Sequence, residues 1–107
     1  MPVKHIVLFQ FKDDATAEQV DTVVANMLAL KDNCLHATTQ KPYISSLTGG
    51  KDISIEGRQN GMQYGFVVEF PSVEDRDYYV KQDQAHKDFI TSAVPILVGA
   101  TVVDYDF

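Results

Sequence analysis

At 107 residues the chain supports one hydrophobic core, because two would each be too small to offset the entropy of ordering the backbone. Its 45% hydrophobic and 22% charged content is that of a globular protein, and nine Lys and Arg against fifteen Asp and Glu leave a formal charge of -6. That balance, with the basic residues scattered along the chain, argues against nucleic acid and anionic membranes as partners.

Val3 to Phe11 alternates. Val3, His5, Val7, Phe9 and Phe11 share one face, and Lys4, Ile6, Leu8 and Gln10 share the other. A two-residue period with one apolar face reads as a strand covered on that side. Thr16-Ala17-Glu18-Gln19 has the form of a capping box. Val20, Val23, Val24, Met27, Leu28 and Leu30 follow at helical spacing, which predicts an amphipathic helix over about 17 to 31, extending toward Cys34. Pro42 limits helix, Tyr43 to Leu47 reads as a second strand, and Gly49-Gly50 ends or bulges it. Lys51 to Gly61 is polar, has few anchoring residues and reads as a mobile surface loop.

Tyr64, Phe66, Val68 and Phe70 alternate with Gln63, Gly65, Val67 and Glu69 in a third strand, closed by Pro71. Ser72 caps a helix that runs to about Lys81. A polar turn, Gln82 to Ala85, leads to a helix from about His86 to Val94, and Thr101 to Phe107 reads as the last strand. The order β-α-β-β-α-(α)-β is that of a ferredoxin-like α+β fold, a four-stranded antiparallel sheet with helices on one face. Ile6, Leu8, Val67 and Val102 are assigned to the other face. That face is too apolar to leave wet, so a homodimer joining two sheets about a two-fold axis is expected.

Three side chains carry chemistry. His5 interrupts an apolar strand face. It reads either as a core histidine bonded to a carbonyl or a tyrosine, or as a group lining a pocket. His86 stands at a helix start, where the dipole keeps an imidazole neutral and able to take a proton from carbon acidified by carbonyl groups. Its other reading is an exposed or capping histidine. Tyr79 can donate a hydrogen bond to a substrate carbonyl or to His86, with Tyr78 as its rival one helical step away. Val7, Phe9, Val23, Val24, Met27, Tyr64, Phe66 and Val68 would form the apolar wall of any cavity. Gly49-Gly50-Lys51 lacks the spacing of a phosphate loop, and no Cys, His and carboxylate set has zinc spacing, so no cofactor and no metal is expected. The lone Cys34 excludes an internal disulfide and points to a reducing compartment. No signal-peptide layout and no run of ~20 apolar residues is present, so a cytoplasmic location is expected.

Several segments together carry a family resemblance. They are Val3-Lys4-His5-Ile6-Val7-Leu8-Phe9-Gln10-Phe11-Lys12, Tyr43-Ile44 with Leu47-Thr48-Gly49-Gly50-Lys51-Asp52-Ile53-Ser54, and the strand Tyr64 to Phe70. Tyr79 with Gln84-Ala85-His86-Lys87-Asp88-Phe89 and then Val103-Asp104-Tyr105 complete the set. In this order, over nearly the whole chain, they resemble the stress-responsive A/B barrel domain proteins. The resemblance implies a dimeric α/β barrel in which two ferredoxin-like sheets meet with helices outside. It also implies a pocket between sheet and helices. Plant enzymes of the olivetolic acid cyclase type use that pocket to close a linear polyketide thioester by aldol condensation, without a cofactor. By the resemblance His5 matches a first-strand pocket histidine, His86 the base and Tyr79 its partner tyrosine, with a longer turn before His86 here. Phe66 and Met27 stand where a histidine and a tyrosine line that pocket. Some members carry a divalent ion at the dimer interface, and no residue of this sequence marks such a site.

Two functions follow. One is a cyclase-like or aldol-type enzyme acting on a polyketide-like or other small apolar carbonyl substrate, with His86 as base, Tyr79 as donor and His5 orienting. The other is a non-catalytic, stress-associated dimer that binds or supports. An open cavity reaching both His5 and His86 favours the first, and a filled core with both histidines bonded to backbone favours the second.

Overall fold

The structure is a computed structural model that describes residues 1–107. Four strands, β1 (Val3–Phe11), β2 (Ser46–Lys51), β3 (Tyr64–Phe70) and β4 (Leu97–Asp106), form one antiparallel sheet in the order β2-β3-β1-β4. Three helices, α1 (Ala17–Asn33), α2 (Val73–Lys81) and α3 (Gln84–Ala93), cover one face, and a 3-10 turn over Val94–Ile96 joins α3 to β4. This is the ferredoxin-like fold. No helix is long and apolar enough to cross a membrane.

The elements start where the chain can satisfy its free N–H groups. Thr16 Oγ1 accepts from the Gln19 backbone at 3.1 Å, and Gln19 Oε1 accepts from the Thr16 backbone at 2.9 Å, which closes the capping box of α1. Ser72 Oγ accepts from the Asp75 backbone at 3.1 Å to open α2. α3 opens earlier than its apolar pattern indicates. Asp83 accepts from the His86 backbone at 3.3 Å, so the helix begins at Gln84 and carries His86 inside its first turn.

β1 alternates buried and half-buried along its length, and its buried row faces the helices. Phe66, Val68, Phe70, Met27 and Tyr79 are almost wholly excluded from solvent in the core above it. β2 lies at 46–51, not at 43–47. Tyr43 and Ile44 are buried just before it, and Gly49-Gly50 belong to the strand. Gly49 pairs with Phe66, and a Cβ at Gly49 would overlap the Phe66 ring and lie 2.7 Å from the Gly65 carbonyl oxygen. The glycine there makes room for an aromatic ring rather than ending the strand.

β4 begins at Leu97, before the expected Thr101, and its register corrects the open face. Val103 lies opposite Ile6, whereas Val102 lies opposite Val7 on the helix side. The uncovered face is therefore Ile6, Leu8, Val67, Val103 and Tyr105, the last three substantially exposed. The loop from 52 to 63 is better tied than its composition suggests. Asp52 accepts from Gln59 Nε2 at 2.6 Å and from the Ser54 backbone at 3.0 Å, and the Gln63 N–H donates to Phe9 O at 2.8 Å.

Candidate functional site

α1 packs against β2 and α3, and α2 packs over β1 and β3. No helix lies closely on β4. The space left between β1, β4, α2 and α3 is a cavity of about 640 Å³, lined mainly by hydrophobic side chains. His5, Tyr79 and His86 all belong to its wall, with Val7, Phe9, Met27, Phe89, Ile90 and Val102 among the apolar lining.

His86 is fixed by its own neighbourhood. Its Nδ1 lies 2.9 Å from the Tyr79 carbonyl oxygen. A carbonyl only accepts, so Nδ1 carries the proton and Nε2 keeps its lone pair. The Tyr79 ring stacks on the imidazole at a centroid distance of 3.9 Å. Burial holds the His86 pKa below its ordinary 6.5, helped by the nearby His5 and opposed by the bond to the Tyr79 carbonyl and by Asp83.

His5 is 5% exposed, and its partner is neither backbone nor tyrosine. Its Nδ1 lies 2.7 Å from Asp104 Oδ1. The other oxygen of Asp104 accepts from Arg76 Nη1 at 2.6 Å, and Arg76 Nε donates to Asp77 at 2.9 Å. Hydrogen bonds to Asp104 and Asp77 push the Arg76 pKa up, so the guanidinium is a permanent cation beside the site. The carboxylate fixes His5 with its proton on Nδ1 and Nε2 as acceptor. The Tyr79 ring stands edge-on to His5 at 5.7 Å. The two imidazoles thus flank one aromatic ring, and their separation is bounded by the sum of the two centroid distances.

The tyrosines divide clearly. Tyr78 is half-buried outside the cavity, its hydroxyl 3.5 Å from the Leu35 carbonyl. Tyr79 lines the cavity, but its hydroxyl is buried and has no hydrogen-bond partner. Burial pushes that hydroxyl's pKa up, reinforced by Cys34 and Asp83. The hydroxyl is therefore not open to a molecule in the cavity. What His86 meets of Tyr79 is its ring and its carbonyl.

The structure brings Val7, Phe9 and Met27 to the cavity with the histidines, but Val23, Val24, Tyr64, Phe66 and Val68 stay out of its wall. They lie on β3 and on the part of α1 packed into the solid core. There Phe66 meets Phe9 at 5.4 Å and Tyr64 meets Phe11 at 5.6 Å, which leaves no opening. Sequence reasoning missed Asp104, Arg76 and Asp83. Asp104 gave one signal, a carboxylate directly after Val102-Val103 inside a strand. Asp83, 2% exposed, accepts from the Tyr43 hydroxyl at 2.6 Å and joins the β2 approach to the start of α3. No three His, Cys, Asp or Glu side chains are grouped to hold a metal ion.

Comparisons with known proteins agree with this architecture. The stress-response A/B barrel domain-containing protein HS1 of Arabidopsis thaliana is 30% identical over 107 residues, covering 97% of this chain and 88% of HS1. A hydroxynitrile lyase from Passiflora edulis shares the fold with a TM-score of 0.83 at 22% identity, covering 97% of this chain and 91% of that one. A dimeric ferredoxin-like protein of unknown function from Thermobifida fusca has a TM-score of 0.77 at 19% identity, covering 100% of this chain and 92% of that one. The model of the Stress Responsive A/B Barrel Domain matches residues 3–107, and this chain belongs to that family.

Proposed function

We propose that this protein is a cofactor-free enzyme whose His86 removes a proton from carbon beside a carbonyl group in a small apolar substrate, such as a polyketide-like compound. The observation that carries this reading is the His86 imidazole. Its proton is committed at Nδ1 to the Tyr79 carbonyl at 2.9 Å, and the ring lies in the wall of a hydrophobic cavity of about 640 Å³. A desolvated neutral imidazole is the form that a general base needs near neutral pH. His5, oriented by Asp104, offers a second Nε2 in the same cavity. A proton arriving there gives an imidazolium that the carboxylate stabilises. In ring closure of aldol type the enolate carbon bonds to a second carbonyl carbon, whose oxygen becomes an alkoxide and takes back the proton held by His86, so the sequence balances without a cofactor. The Passiflora hydroxynitrile lyase is support from the fold alone, as a protein of this architecture named for an enzymatic activity.

The test is proton exchange. An alkyl-substituted 1,3-diketone is incubated with the protein in deuterium oxide and followed by proton NMR. The wild type should speed exchange at the central carbon, and His86→Ala should lose about 10²–10⁴-fold of that rate. One observation favours the non-catalytic reading. The sealed Tyr79 hydroxyl leaves the cavity without a hydroxyl donor for a developing oxyanion. Saturable binding of the diketone with no catalysed exchange would give that reading the site.

The working form in this proposal is a homodimer in the cytoplasm. The support for pairing is the uncovered face of Ile6, Leu8, Val67, Val103 and Tyr105, together with a dimeric ferredoxin-like relative. Burying side chains of this size contributes about 1.5–3 kcal/mol each. The support for the compartment is Cys34, buried and unpaired.

A further inference from the structure

We propose that Arg76 is the positioning residue of the cavity's second histidine: acting through Asp104, it fixes the His5 ring and keeps a lone pair on its Nε2. The proposal deepens the proposed function, in which that lone pair receives a proton, and rests on it for the use of His5. Three elements supply the three groups. His5 on β1 and Asp104 on β4 stand opposite each other in the strand ladder, and Arg76 reaches Asp104 from α2.

Asp104 divides its carboxylate between the two. Oδ1 lies 2.7 Å from His5 Nδ1, and Oδ2 accepts from Arg76 Nη1 at 2.6 Å. Arg76 Nε donates to Asp77 at 2.9 Å, so the guanidinium is itself held at two nitrogens. A planar fork can meet two carboxylates in one fixed geometry, which a lysine ammonium cannot. With Oδ2 engaged, the carboxylate cannot turn away from the imidazole without breaking a charge-assisted bond.

Arg76 has little else to do. A partly exposed ion pair adds little to stability. It does not serve its helix either: Arg76 is the fourth residue of α2, near the positive end, where an acidic side chain suits the dipole better. What remains is its effect on His5, which is 5% exposed. A carboxylate alone beside a buried imidazole favours the imidazolium, with a proton on both nitrogens. A cation on the carboxylate's other oxygen offsets part of that field and repels a second positive charge. Asp77, bonded to the guanidinium, returns some negative charge. The other titratable groups around the ring are Tyr79 on α2, edge-on at 5.7 Å, and His86 on α3, stacked on that tyrosine. β3 offers His5 only Val68 and Phe70, which carry no charge. Lys81 lines the same cavity, but Arg76 is the cation paired with Asp104.

The experiment follows the ring nitrogens of His5 by heteronuclear NMR in the full chain, labelled at histidine and arginine, as the pH is lowered. In Arg76→Gln, His5 Nε2 should bind its proton about tenfold more tightly than in wild type, with an unchanged far-ultraviolet circular dichroism spectrum. Arg76→Lys, which returns the charge without the fork, should recover most of that difference. A second measurement uses the wild type alone, where the Arg76 guanidinium signals should shift with the same midpoint as the His5 ring. A folded Arg76→Gln whose His5 titrates as in wild type, or Arg76 signals that ignore the His5 transition, overturns the proposal. Neither readout needs a substrate. A protein that shows both effects but catalyses no deuterium exchange loses the His86 base and keeps this assignment. Exchange without them loses the assignment and keeps the base.

Discussion

The helix-covered side of the sheet has two halves built on different terms. Over β2 and β3 the space is solid. Phe66, Val68 and Phe70 from β3 share one buried cluster with Val23 and Leu30 from α1. Over β1 and β4 it is hollow. β4 has no helix close upon it, and Val98 and Val102 are more than half exposed. The polar groups follow the same division. His5, His86, Asp104 and Arg76 all lie on the hollow side. A polar side chain buried in the solid half would need a partner inside close-packed hydrocarbon. At the wall of a cavity it can be desolvated and still face a ligand. The chemistry sits where the packing stops, and Phe66 marks the boundary: it fills the place where the family resemblance suggests a histidine.

The largest effect that can break this comparison is a matched truncation. Phe66→Ala should cost about 3–5 kcal/mol, because the site is closed on all sides and cannot collapse fully. Val102→Ala on the hollow side should change stability by no more than about 0.5 kcal/mol, since half of that side chain already meets solvent. Urea unfolding of both variants measures the contrast. Similar costs would mean that the cavity is as well packed in solution as the core, and the two halves would no longer differ.

A second variant probes the seam between the halves. Asp83 is a buried carboxylate that caps α3 and accepts from the Tyr43 hydroxyl at 2.6 Å. Tyr43→Phe removes that donor and leaves the carboxylate short of a partner. The expected loss is about 1–3 kcal/mol by urea unfolding. Because Asp83 also holds the first turn of α3, the His86 ring signals should shift in the NMR spectrum. If they do not, the seam is structural only.

Much of this arrangement was legible in the sequence. The alternation of Val3 to Phe11 marked β1 and its covered face, and Thr16 with Gln19 marked the start of α1. Those signals are local, so they do not depend on what the rest of the chain does. Three features were not legible because they depend on register. Gly49-Gly50 looks like a strand end until Phe66 is placed opposite Gly49. Val102 and Val103 are both apolar, so alternation alone cannot say which one faces the helices. Asp104 becomes a partner of His5 only when β4 pairs with β1, across nearly the whole length of the chain. At the site, the sequence pointed to His5 and His86 through their residue types. It could not reveal that the Tyr79 hydroxyl is sealed from the cavity, because that follows from side-chain packing and not from position on the helix.

The smallest expected effect, and the finest probe of the hollow half, is a pH dependence of stability. Burial lowers the His86 pKa below 6.5 in the folded chain. The unfolded chain then binds a proton more readily than the folded one, so stability falls as pH falls. This contribution is fully present above 6.5 and is lost as the pH drops through the lower, folded value. His86→Gln keeps an N–H that can donate to the Tyr79 carbonyl but cannot titrate. Urea midpoints for wild type and variant, taken between about pH 8 and 5, isolate the term. The wild type should lose stability relative to the variant below 6.5, and by a modest amount, because the Tyr79 carbonyl and Asp83 both oppose the effect of burial. Parallel curves would mean that the folded chain holds the His86 imidazole neutral no more firmly than the unfolded chain does. The preference for a neutral imidazole on which the proposed base depends would then be gone.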